Sequence, residues 1–282
     1  MTRFLPSIPL TRRALGLAAA AGAALALAAC GSTGSETGGE PAEASASGVT
    51  WESVQESGKL TIGTEGTYRP FSYHEGGDGE LTGYDVEVAR AVGEKLGVEI
   101  EFAETQWDAM FAGLNAGRFD AVANQVTMTP DRMEEYLFST PYTVSTGVIV
   151  TLADNDSITS FDDLESQRTA QSRASNWYTL AVDSGAEVEP VEGWAQSVTL
   201  LEQGRVDATI NDKLTVLDYQ KTEDNQNIKI AAETEETSEV AFAFPKGSES
   251  VVEQVDSALA ELAADGTLAE ISTEYFGEDV SQ

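Results

Sequence analysis

The chain has 282 residues, with 48 acidic side chains against 16 lysines and arginines and a formal net charge of −32 at pH 7. So acidic a surface excludes nucleic-acid binding, which needs a basic footprint, and it repels anionic lipid. Cys30 is the only cysteine, which excludes a disulfide framework.

The first 29 residues read as a targeting segment rather than fold. Arg3, Arg12 and Arg13 precede a charge-free run from Ala14 to Ala29. As a helix that run would rise only about 24 Å, short of the ~30 Å hydrocarbon core. A basic flank, a short apolar run and small residues after it make a lipoprotein signal peptide over 1–29. Leu27-Ala28-Ala29-Cys30-Gly31 resembles a bacterial lipobox, which implies lipid attachment at Cys30 and a membrane anchor. Thr11-Arg12-Arg13 also resembles a twin-arginine signal, so both export routes stay open. Residues 30–48 are rich in Gly, Ser, Ala, Thr and Glu and read as a flexible tether reaching roughly 22–25 Å.

From Val49 onward strand and helix signals alternate, which predicts an α/β architecture. Lys59–Gly63 reads as a strand and Asp85–Leu96 as a helix with one apolar stripe. Val98, Ile100 and Phe102 alternate with acids, the pattern of a half-buried strand. Trp107–Ala116 reads helical and Asp120–Asn124 as strand. Thr129-Pro130 is a helix start, with Thr as N-cap and Pro in the first turn. His74, the one histidine, is expected as a solvated turn residue.

An internal echo organises the middle of the chain. Leu114-Asn115-Ala116-Gly117-Arg118-Phe119-Asp120-Ala121-Val122-Ala123-Asn124 recurs 87 residues later as Leu201-Glu202-Gln203-Gly204-Arg205-Val206-Asp207-Ala208-Thr209-Ile210-Asn211. Each copy predicts a helix stopped at Gly, then an apolar strand ending on Asn. Ligands of open α/β sheets sit beyond the carboxyl ends of strands, so two such units predict two lobes sharing a cleft. Gly147–Thr151 and Glu239–Phe244 are β-like runs around a central block with strands near Thr169, Val188 and Val206. Helices are expected from Trp177, from Trp194 and after Asp212, then at Ser250–Ala264 and Thr267–Phe276. The block reads as lobe 2 (148–240), inserted between two crossing strands into lobe 1 (49–147 and 241–282).

Several motifs carry a family resemblance. Gly83-Tyr84-Asp85-Val86-Glu87-Val88, Gly63-Thr64-Glu65-Gly66-Thr67-Tyr68, Thr127-Met128-Thr129-Pro130-Asp131-Arg132 and Phe138-Ser139-Thr140-Pro141-Tyr142 all occur in this chain. Together they resemble the family 3 extracellular solute-binding proteins, the polar amino-acid receptors of ABC importers. The resemblance implies a type II periplasmic-binding-protein-like α/β fold, two α/β lobes joined by two crossing hinge strands. Asn124-Gln125-Val126-Thr127, Ala170-Gln171-Ser172 with Ser175-Asn176, and Asn211-Asp212-Lys213-Leu214 resemble the cystine-binding members most. Arg69, Trp177 and Trp194 depart from the family pattern and leave the ligand's distal half undefined.

The resemblance implies a site without catalysis, cofactor or metal. Arg132 would take the ligand carboxylate in bidentate fashion, and Asp212 the ammonium from the opposite lobe. The alternatives are a surface Arg132 paired with Asp131 or Glu135, and an Asp212 that only caps its helix. Tyr68 and Trp107 would wall the ligand's side chain. Glu65, Asn124, Gln125, Thr127, Ser175 and Asn176 would give polar contacts. The expected partners are an amino acid, L-cystine before glutamine, histidine, lysine or arginine, and an ABC permease, with the receptor a monomer. A dehydratase-type enzyme on the same fold is the rival, but no Ser/His/Asp or Cys/His set and no H-E-x-x-H or C-x-x-C spacing supports it.

Overall fold

Capping residues and left-handed glycines punctuate the chain into the alternating elements its periodicity predicts, over residues 48–281, which the computed structural model describes. In chain order, α1 (Trp51–Ser57) is opened by a capping box on Thr50 and Ser53. Strand β1 (Lys59–Thr64) follows, then the short β2 (Thr67–Tyr68), β3 (Ser72–His74) and β4 (Leu81–Thr82). Helix α2 (Tyr84–Leu96), β5 (Glu99–Glu104), α3 (Trp107–Asn115), β6 (Ala121–Val122), α4 (Pro130–Glu135) and β7 (Tyr136–Phe138) complete the first run. The long β8 (Thr143–Leu152) leads into β9 (Arg168–Gln171), α5 (Asn176–Asp183), β10 (Glu187–Pro190), α6 (Trp194–Glu202), β11 (Thr209–Asp212) and α7 (Lys213–Thr222). Then β12 (Ile228–Val240), β13 (Ala243–Pro245), α8 (Glu249–Asp265) and α9 (Thr267–Phe276) close the chain. The expected signal peptide, Cys30 and nearly all of the tether lie outside the described residues.

Lobe 1 is built on a five-stranded sheet of order β5-β1-β6-β13-β7. Its first three strands are parallel and β13, from the far end of the chain, runs antiparallel between β6 and β7. Helices α8 and α9 bury Val251, Val255, Leu259, Leu262 and Leu268 in one cluster with Val88, Ala89 and Val92 of α2. Sequence periodicity by itself leaves the destination of these helices open; the shared cluster places them in lobe 1.

In lobe 2, β8 lies between β11 and β12, and the parallel pair β10-β9 reaches β11 through a bridge between Thr169 and Ala208. Strand β11 begins at Thr209 instead of near Val206, because Val206 and Asp207 are spent on the turn that meets β9. Strand β6 is likewise two residues long, shorter than the expected Asp120–Asn124, since Asn124 turns away to bond neighbouring groups.

The echo is structural. Gly117 and Gly204 both adopt φ of 66°, the left-handed conformation that ends α3 and α6 at little cost to a residue without Cβ. Asp120 then accepts the Thr61 N–H at 2.8 Å, and Asp207 accepts the Arg168 N–H at 3.0 Å. Each acid thus pins its turn to the neighbouring strand, in one lobe as in the other.

The lobes are connected by β8 and β12, which pair antiparallel from Thr143↔Val240 to Leu152↔Ile228. The register slips between Glu233 and Thr237, opposite Gly147. His74 is not a free turn residue: its ring bonds the Gly79 carbonyl and the Glu104 carboxylate, at 2.9 and 3.0 Å.

Candidate functional site

Strand ends and helix starts converge on a cavity of about 60 Å³ between the lobes. Lobe 1 contributes Glu65, Tyr68, Trp107, Asn124 and Gln125; lobe 2 contributes Ser172, Ser175, Asn176, Trp177, Gly193, Trp194 and Asn211. Of the expected ligand set, Glu65, Tyr68, Trp107, Asn124, Gln125, Ser175 and Asn176 are on the wall. Thr127, Arg132 and Asp212 are not.

Asn124 organises the lobe 1 side. Its Oδ1 accepts from the Glu65 N–H at 2.8 Å and the Thr64 hydroxyl at 3.1 Å, and its Nδ2 donates to Glu65 Oε2 at 2.7 Å. Burial nonetheless pushes the Glu65 carboxyl up to about 7, against the pull of Asn124 and the Trp107 N–H.

Gln125 has a positive φ of 52°, uncommon for a residue with a side chain, and its N–H donates to the fully buried Asp85 carboxylate. Its side chain is 8% exposed, and neither amide atom has a protein partner. Trp107 Nε1 is also buried and unpartnered. An unpaired buried polar group costs roughly 1–3 kcal/mol, so these three atoms on or beside one cavity point to a ligand that satisfies them.

Arg132 stands directly behind the wall. Its guanidinium lies over the rings of Trp107 and Phe111, 5.4 and 5.3 Å from their centroids. Nη1 donates to the Thr127 carbonyl at 3.0 Å and Nη2 to the Ala174 carbonyl of lobe 2 at 3.1 Å. Burial lowers its pKa to about 10. It pairs with neither Asp131 nor Glu135.

Asp212 caps α7, accepting from the Leu214 N–H and the Ser145 hydroxyl, both at 2.8 Å, and burial raises its carboxyl to about 6. Asp85 is pushed to about 7, chiefly by burial, with the Asp212 charge adding to it. Of these three partly or wholly buried carboxyls Glu65 lines the cavity, while Asp85 and Asp212 stand behind it next to the wall residues Gln125 and Asn211; together they favour a cationic group.

Several hydrogen bonds close the cleft across the lobes, among them one between the Tyr68 and Thr215 hydroxyls at 2.9 Å. Tyr68 donates to Asn211 Oδ1 at 2.8 Å, Arg69 Nε to Asp218 at 3.2 Å, the Ala174 N–H to Asp108 at 3.0 Å, and Arg132 to the Ala174 carbonyl.

Trp177, Trp194, Ser172, Gly193 and Asn211 are cavity residues that the expected ligand set omits. A signal for two of them is present in the sequence. Trp194 stands 87 residues after Trp107, the same offset as the echo, and each opens a nine-residue helix. Asn124 and Asn211 share that offset too. The repeat therefore puts a tryptophan and an asparagine of each lobe on the same cavity.

Two α/β lobes of this strand order, crossed by two strands and closing on a polar and aromatic cavity, define the type II periplasmic-binding-protein fold. Residues 60–278 match the model of the bacterial extracellular solute-binding proteins, family 3, and the chain belongs to that family. It is 52% identical over 257 residues to the L-cystine-binding protein TcyA of Bacillus subtilis, covering 91% of this chain and 94% of the relative. Such kinship is with receptors, so the chain is a binding protein and not an enzyme.

Two solved structures bear on the cleft. The L-cystine solute receptor of Neisseria gonorrhoeae, unliganded and open, is 49% identical, with a TM-score of 0.56 over 79% of this chain and 95% of that one. A substrate-binding protein from Streptococcus pneumoniae with bound histidine is only 26% identical, yet its TM-score is 0.77 over 82% of this chain and 98% of that one. The lower score against the more similar sequence agrees with a closed arrangement of the lobes here.

Proposed function

We propose that this protein is the substrate-binding component of an ABC importer, that it captures L-cystine between its lobes, and that it hands the ligand to a membrane permease. The observation that carries the reading is the 52% identity, over 91% of the chain, to a protein named for L-cystine binding. The cavity chemistry supports it. Tyr68, Trp107, Trp177 and Trp194 offer aromatic surface to sulfur, a favourable contact.

Arg132 has five N–H donors, and the two bonds it makes to carbonyls leave others for a ligand carboxylate. Asp212 is one residue from the cavity wall, and its burial-raised pKa marks a carboxyl that an ammonium would ionise. Closure is favoured because a ligand touching both lobes binds the closed state better. The acidic surroundings of Glu65, Asp85 and Asp212 favour a second reading, a receptor for lysine or arginine.

The test is calorimetric titration of the full chain, unfolded and refolded to strip carried ligand, with L-cystine, glutamine, histidine, lysine and arginine. Tight one-to-one L-cystine binding that collapses in Arg132→Ala supports the reading. Binding of lysine or arginine alone transfers it to the second ligand class, and silence for every amino acid overturns both.

The anchor belongs to the same proposal. Cys30 follows the lipobox-like Leu27-Ala28-Ala29, and a lipid there would hold a monomeric receptor at the outer face of the cell membrane. Cys30→Ser should release the protein from the membrane fraction.

A further inference from the structure

Arg69 is not on the cavity wall, yet it reaches across the cleft. It follows Tyr68 at the end of β2. Its Nε donates to Asp218 Oδ2 of α7 at 3.2 Å, and its guanidinium carbon lies 4.3 Å from the centroid of the Tyr73 ring in β3. Tyr73 pairs with Thr67 across the β2–β3 hairpin. Lobe 1 thus steadies the guanidinium on its own aromatic ring and presents it to lobe 2.

The acid of this pair is mostly out of water. The Asp218 side chain is 11% exposed against 43% for Arg69, and burial raises its pKa despite the Arg69 charge. Of the charges acting on Asp218, those of Arg69, Lys221 and Glu223, that of Arg69 is the largest. Freely mobile surface pairs contribute little; here stacking restricts the cation, and burial of the acid reduces the screening of the attraction. Asp218 also stands one turn after Thr215, whose hydroxyl meets Tyr68 at 2.9 Å. Consecutive residues of lobe 1 therefore dock on one face of one lobe 2 helix. Acidic side chains outnumber lysines and arginines in both lobes, so closure works against a like-charge repulsion that this pair opposes locally.

We propose that Arg69, steadied by Tyr73, and Asp218 form an ionic latch that holds the lobes closed without touching the ligand. Arg69 is then a positioning residue. It acts on ligand retention through the angle between the lobes, and it makes that retention sensitive to salt. The inference goes beyond the receptor reading and rests on it only where a ligand serves as the readout.

The experiment compares the unaltered full chain, stripped of ligand, with Arg69→Gln, Asp218→Asn and the double variant, at about 20 mM and about 500 mM sodium chloride. Both substitutions keep a polar side chain of similar size, so the fold should be retained. One readout is stopped-flow release of L-cystine, and the other is the radius of gyration of the ligand-free chain from X-ray scattering. At low salt each single substitution should speed release by about three- to tenfold and enlarge the radius. The double variant should release no faster than either single one, because both remove the same interaction. At high salt the four chains should converge. Equal release rates at low salt, or additive losses that persist at high salt, overturn the latch and leave the receptor reading standing. Should L-cystine bind none of the four chains, the cystine reading falls separately, and equal radii at low salt then overturn the latch.

Discussion

Tyr68 of lobe 1 and Asn211 of lobe 2 are joined by a 2.8 Å hydrogen bond across the cleft, and the same hydroxyl lies 2.9 Å from Thr215 Oγ1. One phenol therefore serves both as an aromatic wall of the cavity and as a clasp between lobes. Tyr68→Phe keeps the ring and removes the clasp, leaving the buried Thr215 hydroxyl without its partner while Asn211 Oδ1 keeps the Asp212 N–H. At roughly 1–3 kcal/mol for one orphaned group, ligand affinity should fall about tenfold, mostly through faster dissociation. Stopped-flow release of bound ligand checks it; an unchanged release rate would show that the clasp contributes nothing to closure.

Asp85 supports the cavity wall from behind through Gln125. Its carboxylate holds the Gln125 N–H, which only partly offsets the burial that raises its pKa to about 7 from 3.8. A carboxyl raised on folding contributes stability that is present below its unfolded pKa and lost as pH rises through the folded one. The ligand-free protein should thus lose stability from this group between about pH 4 and pH 7. Asp85→Asn, which can still accept from Gln125, should flatten that dependence and gain on the order of a few kcal/mol at pH 8. Denaturant midpoints at pH 5 and pH 8 decide: parallel shifts in both proteins would refute it.

Ligand affinity should also depend on pH, with the opposite sign. Glu65 and Asp212 rise to about 7 and about 6 in the ligand-free protein, mainly through burial. An arriving ammonium binds their ionised forms, so below these pKa values it must displace a proton. Affinity should weaken as pH drops from 8 to 5, by up to about tenfold per pH unit for each group still protonated. Proton release measured by calorimetry in buffers of different ionisation enthalpy tests this directly. Zero release at pH 6 would contradict it.

Gly147 sits in β8 where the Trp177 ring packs against it. A Cβ there would overlap the ring edge and touch Thr234 Cγ2 at 3.0 Å. Gly147→Ala should push Trp177 toward the cavity it lines, costing about 1–3 kcal/mol and appearing as lost ligand affinity with the fold retained. Titration followed by tryptophan fluorescence will show it; unchanged affinity would mean that the ring escapes elsewhere.

Long periodic elements are legible in the amino-acid pattern by itself. Helix α9 coincides with the expected Thr267–Phe276, and α8 differs from the expected Ser250–Ala264 by one residue at each end. The echo announces two lobes because its Gly and Asp perform one backbone task twice. The sheet formed by β2, β3 and β4 is not legible, since strands of two or three residues have no periodicity to detect. At the site, motif resemblance finds residues that turn at strand ends, such as Asn124 and Gln125. It passes over Trp194, although its offset from Trp107 repeats that of the echo, because it sits outside the recognisable motifs. Arg132 and Asp212 illustrate a different limit. Their chemistry is readable, but their engagement with the Ala174 carbonyl and the α7 N-terminus depends on how the lobes meet and on a local cap.

The ribbon of β8 and β12 is a ladder with two defects: the register slips between Ile230 and Ala232, and three residues, Thr234 to Glu236, stand opposite Gly147. Such a ribbon is compliant at its defects and stiffer where the pairing is regular, so it works as a goniometer rather than a spring. A ligand too long for the cleft would leave the lobes ajar, and a small difference at the hinge grows with distance toward the far rim of each lobe. The fold thereby translates molecular length into an angle legible on the outside of the protein.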